Sequence, residues 1–119
     1  ALSGYYDITH GEGLAIITPH WMRHVLNERT QERIVKFGVN VFGLAADQAL
    51  SEIAEQTIAR TAQFFKSLGM PMTLREVGID DSRLEEMAHH IAVNEGLDAP
   101  GTFAPLNEQD ILSILKAAL

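Results

Sequence analysis

Cysteine is absent from these 119 residues. Without a thiol there is no disulfide framework and no thiolate metal site, and a reducing, cytoplasmic setting is the simplest reading. Positive charge is scarce: nine Lys and Arg stand against sixteen Asp and Glu, a formal net charge of −7. The acidic residues are spread along the chain, so the surface repels phosphate backbones. That argues against nucleic acid or an anionic membrane as the main partner. No apolar run approaches the roughly 20 residues of a membrane span. The first ten residues lack the basic stretch and apolar core of a signal peptide. No glycine-rich phosphate loop follows a strand, which excludes dinucleotide binding by the usual helix-terminus mechanism. No serine–histidine–acid arrangement can be picked out. The chain opens on Ala1 rather than methionine, as expected of a processed chain or of a domain cut from a longer parent.

What is present is helical periodicity. A hydrophobic fraction of 46% is ordinary for a globular domain, and a chain of this length buries roughly two-thirds of its surface on folding. Leu50, Ile53, Ala54, Ile58, Thr61, Phe65 and Leu68 form one face of a long predicted helix. Gly69 and Pro71 stop it, as glycine past the last turn and proline soon after should. Leu84, Met87, Ala88 and Ile91 make a second stripe, opened by Asp80, Asp81 and Ser82 and closed near Gly96. Asn107 caps a third helix whose buried face is Ile111, Ile114, Leu115 and Ala118, with Glu108 and Asp110 placed against its positive end. Leu14 to Leu26 reads as a mostly buried helix that Pro19 bends or interrupts. Gln31 to Val41 reads as another, ending near Gly43. Only Thr73-Leu74-Arg75 and the stretch around Phe103 carry any strand signal. No linker, repeat or low-complexity segment divides the sequence. The expectation is one all-α, multi-helix domain over residues 1–119.

The candidate chemistry begins at His10, followed at once by glycine and a long apolar run. A neutral imidazole at the mouth of a helix is a good ligand for iron or zinc, and Gly11 leaves room for close approach. A turn or cap residue accounts for the same pattern. Asp7 either orients His10 or caps a turn, and Glu12 either acts as acid or base or answers the helix dipole. Tyr5 and Tyr6 line a pocket or pack at the domain edge. His20 and His24 lie four apart on one helix face, half of a metal site. The zinc-protease form needs glutamate where Trp21 stands, and Arg23 disfavours a nearby cation. His89 and His90 point about 100° apart, so one is expected partly buried and the other exposed. Phe64, Phe65, Trp21 and Phe37 read as core.

Leu2-Ser3-Gly4-Tyr5-Tyr6-Asp7-Ile8-Thr9-His10-Gly11-Glu12-Gly13-Leu14-Ala15-Ile16-Ile17-Thr18-Pro19 closely resembles a signature of the iron-containing alcohol dehydrogenases, in their butanol-dehydrogenase-like branch. The resemblance continues through Leu68-Gly69-Met70-Pro71, Leu74-Arg75-Glu76-Val77-Gly78-Ile79 and Pro105-Leu106-Asn107-Glu108-Gln109-Asp110-Ile111. It covers essentially the whole chain, although the later segments add mainly by their order. It implies that the chain is the all-helical C-terminal domain of a dehydroquinate-synthase-like fold. A Rossmann-like N-terminal domain binding NAD or NADP would form the other wall of the cleft. One divalent metal, Fe2+ or Zn2+, would be held by one aspartate and three histidines. His10 matches the last of those histidines. No other residue here matches a ligand position, and His20 and His24 match none.

The resemblance further implies hydride transfer between a small alcohol or aldehyde and the nicotinamide, with the metal as Lewis acid. It places Tyr5 and Tyr6 at the border of the pocket. A site with one ligand of four should bind its ion very weakly. The chain alone is therefore expected to be inert, with the nucleotide-binding domain as its principal partner. Its His10 face, made to meet that domain, is expected to be exposed and apolar and to favour self-association as a homo-oligomer. Two other readings stand beside this one. The first is a free-standing helical interaction module without catalysis. The second is a small metal sensor using His10, His20 and His24.

Overall fold

The computed structural model describes residues 9–94 and 104–119, and all the regular structure among them is helical. The helices are α1 (His10–Val25), α2 (Gln31–Phe42), α3 (Leu50–Ser67), α4 (Leu84–Asn94) and α5 (Glu108–Ala117), with single 3-10 turns at Arg75–Val77 and Asp81–Arg83. The all-α class expected from periodicity is what is found.

α1 is the pivot. On one side it packs against α3, and Arg23 reaches Glu55 at 2.7 Å. On the other it packs against α5, and His24 Nε2 meets Asp110 at 3.0 Å. Two buried clusters result. Ile16 and Val25 of α1 join Leu74, Ile79, Leu84, Met87, Leu106, Ile111, Ile114 and Leu115 under α4 and α5. Met22 joins Ile34, Val35, Ile53, Ala54 and Ile58 between α2 and α3. Trp21 is half-buried and touches both clusters. The whole is a slab with Cα extents of 44 × 35 × 18 Å.

The punctuation of the helices follows local chemistry. Asn107 caps α5 and Asp110 returns the favour, each side chain taking the other's backbone N–H at 2.9 Å. The face expected of α5, Ile111, Ile114, Leu115 and Ala118, is buried. Asp80 caps the turn before α4 through the Ser82 N–H at 2.9 Å. α2 ends where Gly43 turns left-handed at φ 68°. Between α1 and α2, the buried Thr30 hydroxyl donates to the Val25 carbonyl at 2.7 Å and fixes the corner.

The two longest helices depart from their expected faces. Pro19 does not interrupt α1: the helix runs through the proline from His10 to Val25. α1 is also less buried than an apolar run implies, with Leu14 half exposed. In α3, Ile53, Ala54, Ile58 and Thr61 are buried as expected, and so is Thr57. Leu50 and Leu68 are exposed at the two ends, where a helix outruns the neighbours that would cover it. None of the four expected core aromatics is fully buried. Phe37 and Phe64 are exposed, and Trp21 and Phe65 are half-buried. A slab this thin has room inside for aliphatic side chains but covers few rings on both sides. Thr73-Leu74-Arg75 pairs with no strand. The Leu74 N–H bonds the Ala118 carbonyl at 2.8 Å and the chain then turns into the first 3-10 turn. Gly96 and Phe103 lie outside the described residues.

Candidate functional site

His10 is the first residue of α1, and the helix start that carries it is set by its neighbours. Thr9 Oγ1 accepts the Glu12 N–H at 3.1 Å, and Glu12 Oε1 accepts the Thr9 N–H at 3.1 Å and its hydroxyl at 2.9 Å. This reciprocal box pins the helix entry. It also decides the role of Glu12: its carboxylate is engaged by Thr9, as a capping residue and not as a free acid or base. The sequence carried the signal in Thr9-x-x-Glu12 just ahead of an apolar run, although Thr9 was not read as the cap.

The imidazole of His10 is exposed and makes no hydrogen bond or ion pair to another described residue. One side of its turn is walled. A Cβ placed on Gly11 would stand 3.8 Å from the Met70 methyl, so the loop after α3 lies against this end of α1. That loop is held in turn. The Glu76 carboxylate accepts the backbone N–H groups of Met72 and Thr73, and these bonds hold its carboxyl below the usual carboxylate range. Thr73 Oγ1 accepts the Glu76 N–H at 3.2 Å. This second Thr-x-x-Glu box was also legible in the sequence and went unread.

The remaining histidines do not converge on His10. His24 is tied to Asp110, and the Asn107 N–H and the His24 contact together hold that carboxyl below its usual value. His20 is half-buried, and burial followed by the nearby Arg23 charge lowers its pKa, favouring the neutral ring. His89 and His90 are both exposed rather than one partly buried and one exposed. His89 Nδ1 meets Glu108 at 2.7 Å and links α4 to the start of α5. Among the described residues, no three His, Asp or Glu side chains come together as a metal-holding group. The grouping of His10, His20 and His24 considered for a metal sensor is therefore not formed. Asp7, Tyr5 and Tyr6 lie outside the described residues.

The chemistry of the donor set thus divides. His10 suits a metal as one arm, since its imidazole is accessible, unengaged by any other described residue and held on a capped helix. A single imidazole does not make a binding site. Other donors must supply the rest of any coordination sphere.

Comparison with known proteins supplies the frame for that arm. Residues 1–119 match the C-terminal region of the Fe-containing alcohol dehydrogenase family. The NADH-dependent butanol dehydrogenase A of Clostridium acetobutylicum is 47% identical over 115 residues, covering 97% of this chain and 29% of that protein. The 1,3-propanediol dehydrogenase of Klebsiella pneumoniae is 31% identical over 120 residues, covering 98% and 30%. The crystal structure of the NADH-dependent butanol dehydrogenase A of Thermotoga maritima superimposes with a TM-score of 0.81 at 28% identity, over 98% of this chain and 30% of that one. The chain spans about 30% of the length of the relatives it matches. With a match along its full length and the same helical fold, this chain belongs to the C-terminal part of the Fe-containing alcohol dehydrogenase family.

Proposed function

We propose that this chain is the helical wall of the active-site cleft in a metal- and NAD(P)-dependent alcohol dehydrogenase, and that His10 is one of the metal's ligands. The observation that carries the reading is the His10 turn itself. An exposed imidazole, unengaged by any other described residue, stands at the entrance of a helix fixed by a Thr9–Glu12 capping box. Such rigidity is what a ligand needs, because a donor held in place loses little freedom when it coordinates. The relatives' names support NADH as the nicotinamide and short alcohols as substrates.

When bound, the divalent metal, iron or zinc, supplies Lewis-acid polarisation of the alcohol or carbonyl oxygen. The chain's own residues do the rest of what is derivable here. His10 presents its ring nitrogen at the cleft. Thr9 and Glu12 fix the backbone from which it projects. The loop carrying Met70 rests against the Gly11 side of the turn. The hydride donor and the other ligands belong to the nucleotide-binding part of the protein, the principal partner of this chain. Residues 1–119 alone, with one arm of the coordination sphere, are inert.

The test compares the full-length protein with its His10→Ala variant. Wild type should carry about one metal ion per subunit. The variant should lose most of it, with activity down by at least about 100-fold, beyond the 10–100-fold that loss of an outer-shell contact produces. The isolated chain should neither retain metal on dialysis nor reduce NAD+ with butanol. A His10→Ala protein with full metal content would sink the proposal.

A further inference from the structure

Leu14 is a large aliphatic side chain that is 50% exposed, one turn after His10 on α1. At about 100° per residue the two share a face, with Leu14 about 6 Å further along the axis. Thr18 and Trp21 continue that face, and both are half-buried. The face thus opens towards its N-terminal end, where His10 and Leu14 stand exposed. The loop carrying Met70 touches the turn on its Gly11 side, and among the described residues the exposed apolar side chain next to His10 on its own face is Leu14. Phe37, Val41 and Phe64, exposed on α2 and α3, have no histidine one turn away on their own helix.

We infer that Leu14 is a specificity-determining residue: it contacts the alkyl chain of the alcohol whose oxygen is held beside His10, and so sets the preferred chain length. The inference rests on the reading of His10 as a metal ligand. The occupant follows from that position. An alcohol bound by its oxygen at His10 must direct its apolar tail somewhere, and the adjacent accessible surface on the same helix face is aliphatic. A chain running along α1 meets Leu14 first and reaches Thr18 only a turn later. Each buried methylene is worth about fourfold in affinity. Half-exposure also means that Leu14 contributes little to the fold of this chain, so it can be varied without disturbing the core clusters.

The experiment uses the full-length protein, its Leu14→Ala and Leu14→Phe variants, and straight-chain primary alcohols from ethanol to octanol. Three readouts are taken: metal content, alcohol affinity by ligand-observed NMR, and kcat/KM. Wild type should gain affinity with each added methylene up to about butanol. Leu14→Ala should keep its metal and lose about tenfold of the butanol-over-ethanol preference, in both affinity and kcat/KM. Leu14→Phe, which adds bulk, should keep its metal and disfavour the longer alcohols. An unchanged chain-length preference in either metal-replete variant overturns the inference. The same holds if Leu14→Ala only lowers the melting temperature of the full-length protein, since Leu14 then packs against the rest of that protein. Failure of the underlying reading is a separate result, because His10→Ala would then retain its metal whatever the Leu14 variants do.

Discussion

Thr9 and Glu12 use their polar atoms on one another, and in doing so fix the residue between them that matters most. The Thr9 side chain satisfies the Glu12 N–H, one of the donors that a helix start leaves unpaired. Thr9→Ala removes that partner and should lower stability by about 1 kcal/mol, read as a shift in the denaturation midpoint of the isolated chain. Thr9→Ser keeps the hydroxyl and should restore most of it. His20 adds a pH dependence of known sign. Burial and Arg23 depress its pKa below 6.5, so the folded chain binds a proton at this ring less readily than the unfolded chain. Its contribution is intact above about pH 6.5 and is lost as the pH falls below that, through the lower folded value. Stability should decline as the pH falls from about 6.5 towards about 5, within the range in which histidine titrates. His20→Gln should flatten that part of the profile, and an identical slope in the two proteins would refute the assignment.

The helices themselves are held by close approach rather than by charge. Gly38 brings α2 onto α3 at Thr57, where an added Cβ would stand 2.0 Å from Thr57 Oγ1 and 3.0 Å from Leu44 Cδ1. Thr57 is fully buried and its hydroxyl already bonds the Ile53 carbonyl at 2.7 Å, so it has little freedom to move aside. Gly38→Ala should therefore destabilise by about 1–3 kcal/mol despite the better helix propensity of alanine. A gain in melting temperature would show that α2 can back away. The exposed ion pairs that join helices, Arg23–Glu55 and His89–Glu108, are each worth about 0–1 kcal/mol at most and serve mainly to set register.

At this scale the sequence was most readable where local chemistry decides the outcome. The α5 cap at Asn107, the Gly43 stop and the apolar stripes of α4 and α5 depend on neighbours within a turn or two, and they lie where periodicity placed them. What escaped depends on distant partners. Whether Phe37 and Phe64 are covered depends on which helix lies across them, and the thin slab leaves them bare. Thr73-Leu74-Arg75 reads as strand-like by composition, yet Leu74 takes helical geometry (φ −63°, ψ −35°) at the mouth of the first 3-10 turn and its N–H bonds Ala118 at the far end of the chain. The candidate site was legible as a position, since His10-Gly11 stands out at once. Its meaning was not legible from spacing, because a ligand whose companions are elsewhere looks like a cap. Only the resemblance to a known family favours the ligand reading over the cap.

For the whole molecule, α1 unites the architecture and the proposed chemistry. Its Ile16 and Met22 sides join the two core clusters, and its exposed N-terminal turn offers His10 and Leu14 outward. A chain that spans about 30% of its relatives' length is expected to complete its site with residues from the remainder of the protein. The most direct measurement is anomalous X-ray diffraction from crystals of the metal-loaded full-length protein, collected at the iron and zinc absorption edges. One anomalous peak per subunit should lie about 2.0–2.2 Å from a ring nitrogen of His10. A fully occupied metal coordinated elsewhere, with the His10 ring free of it, would contradict the account.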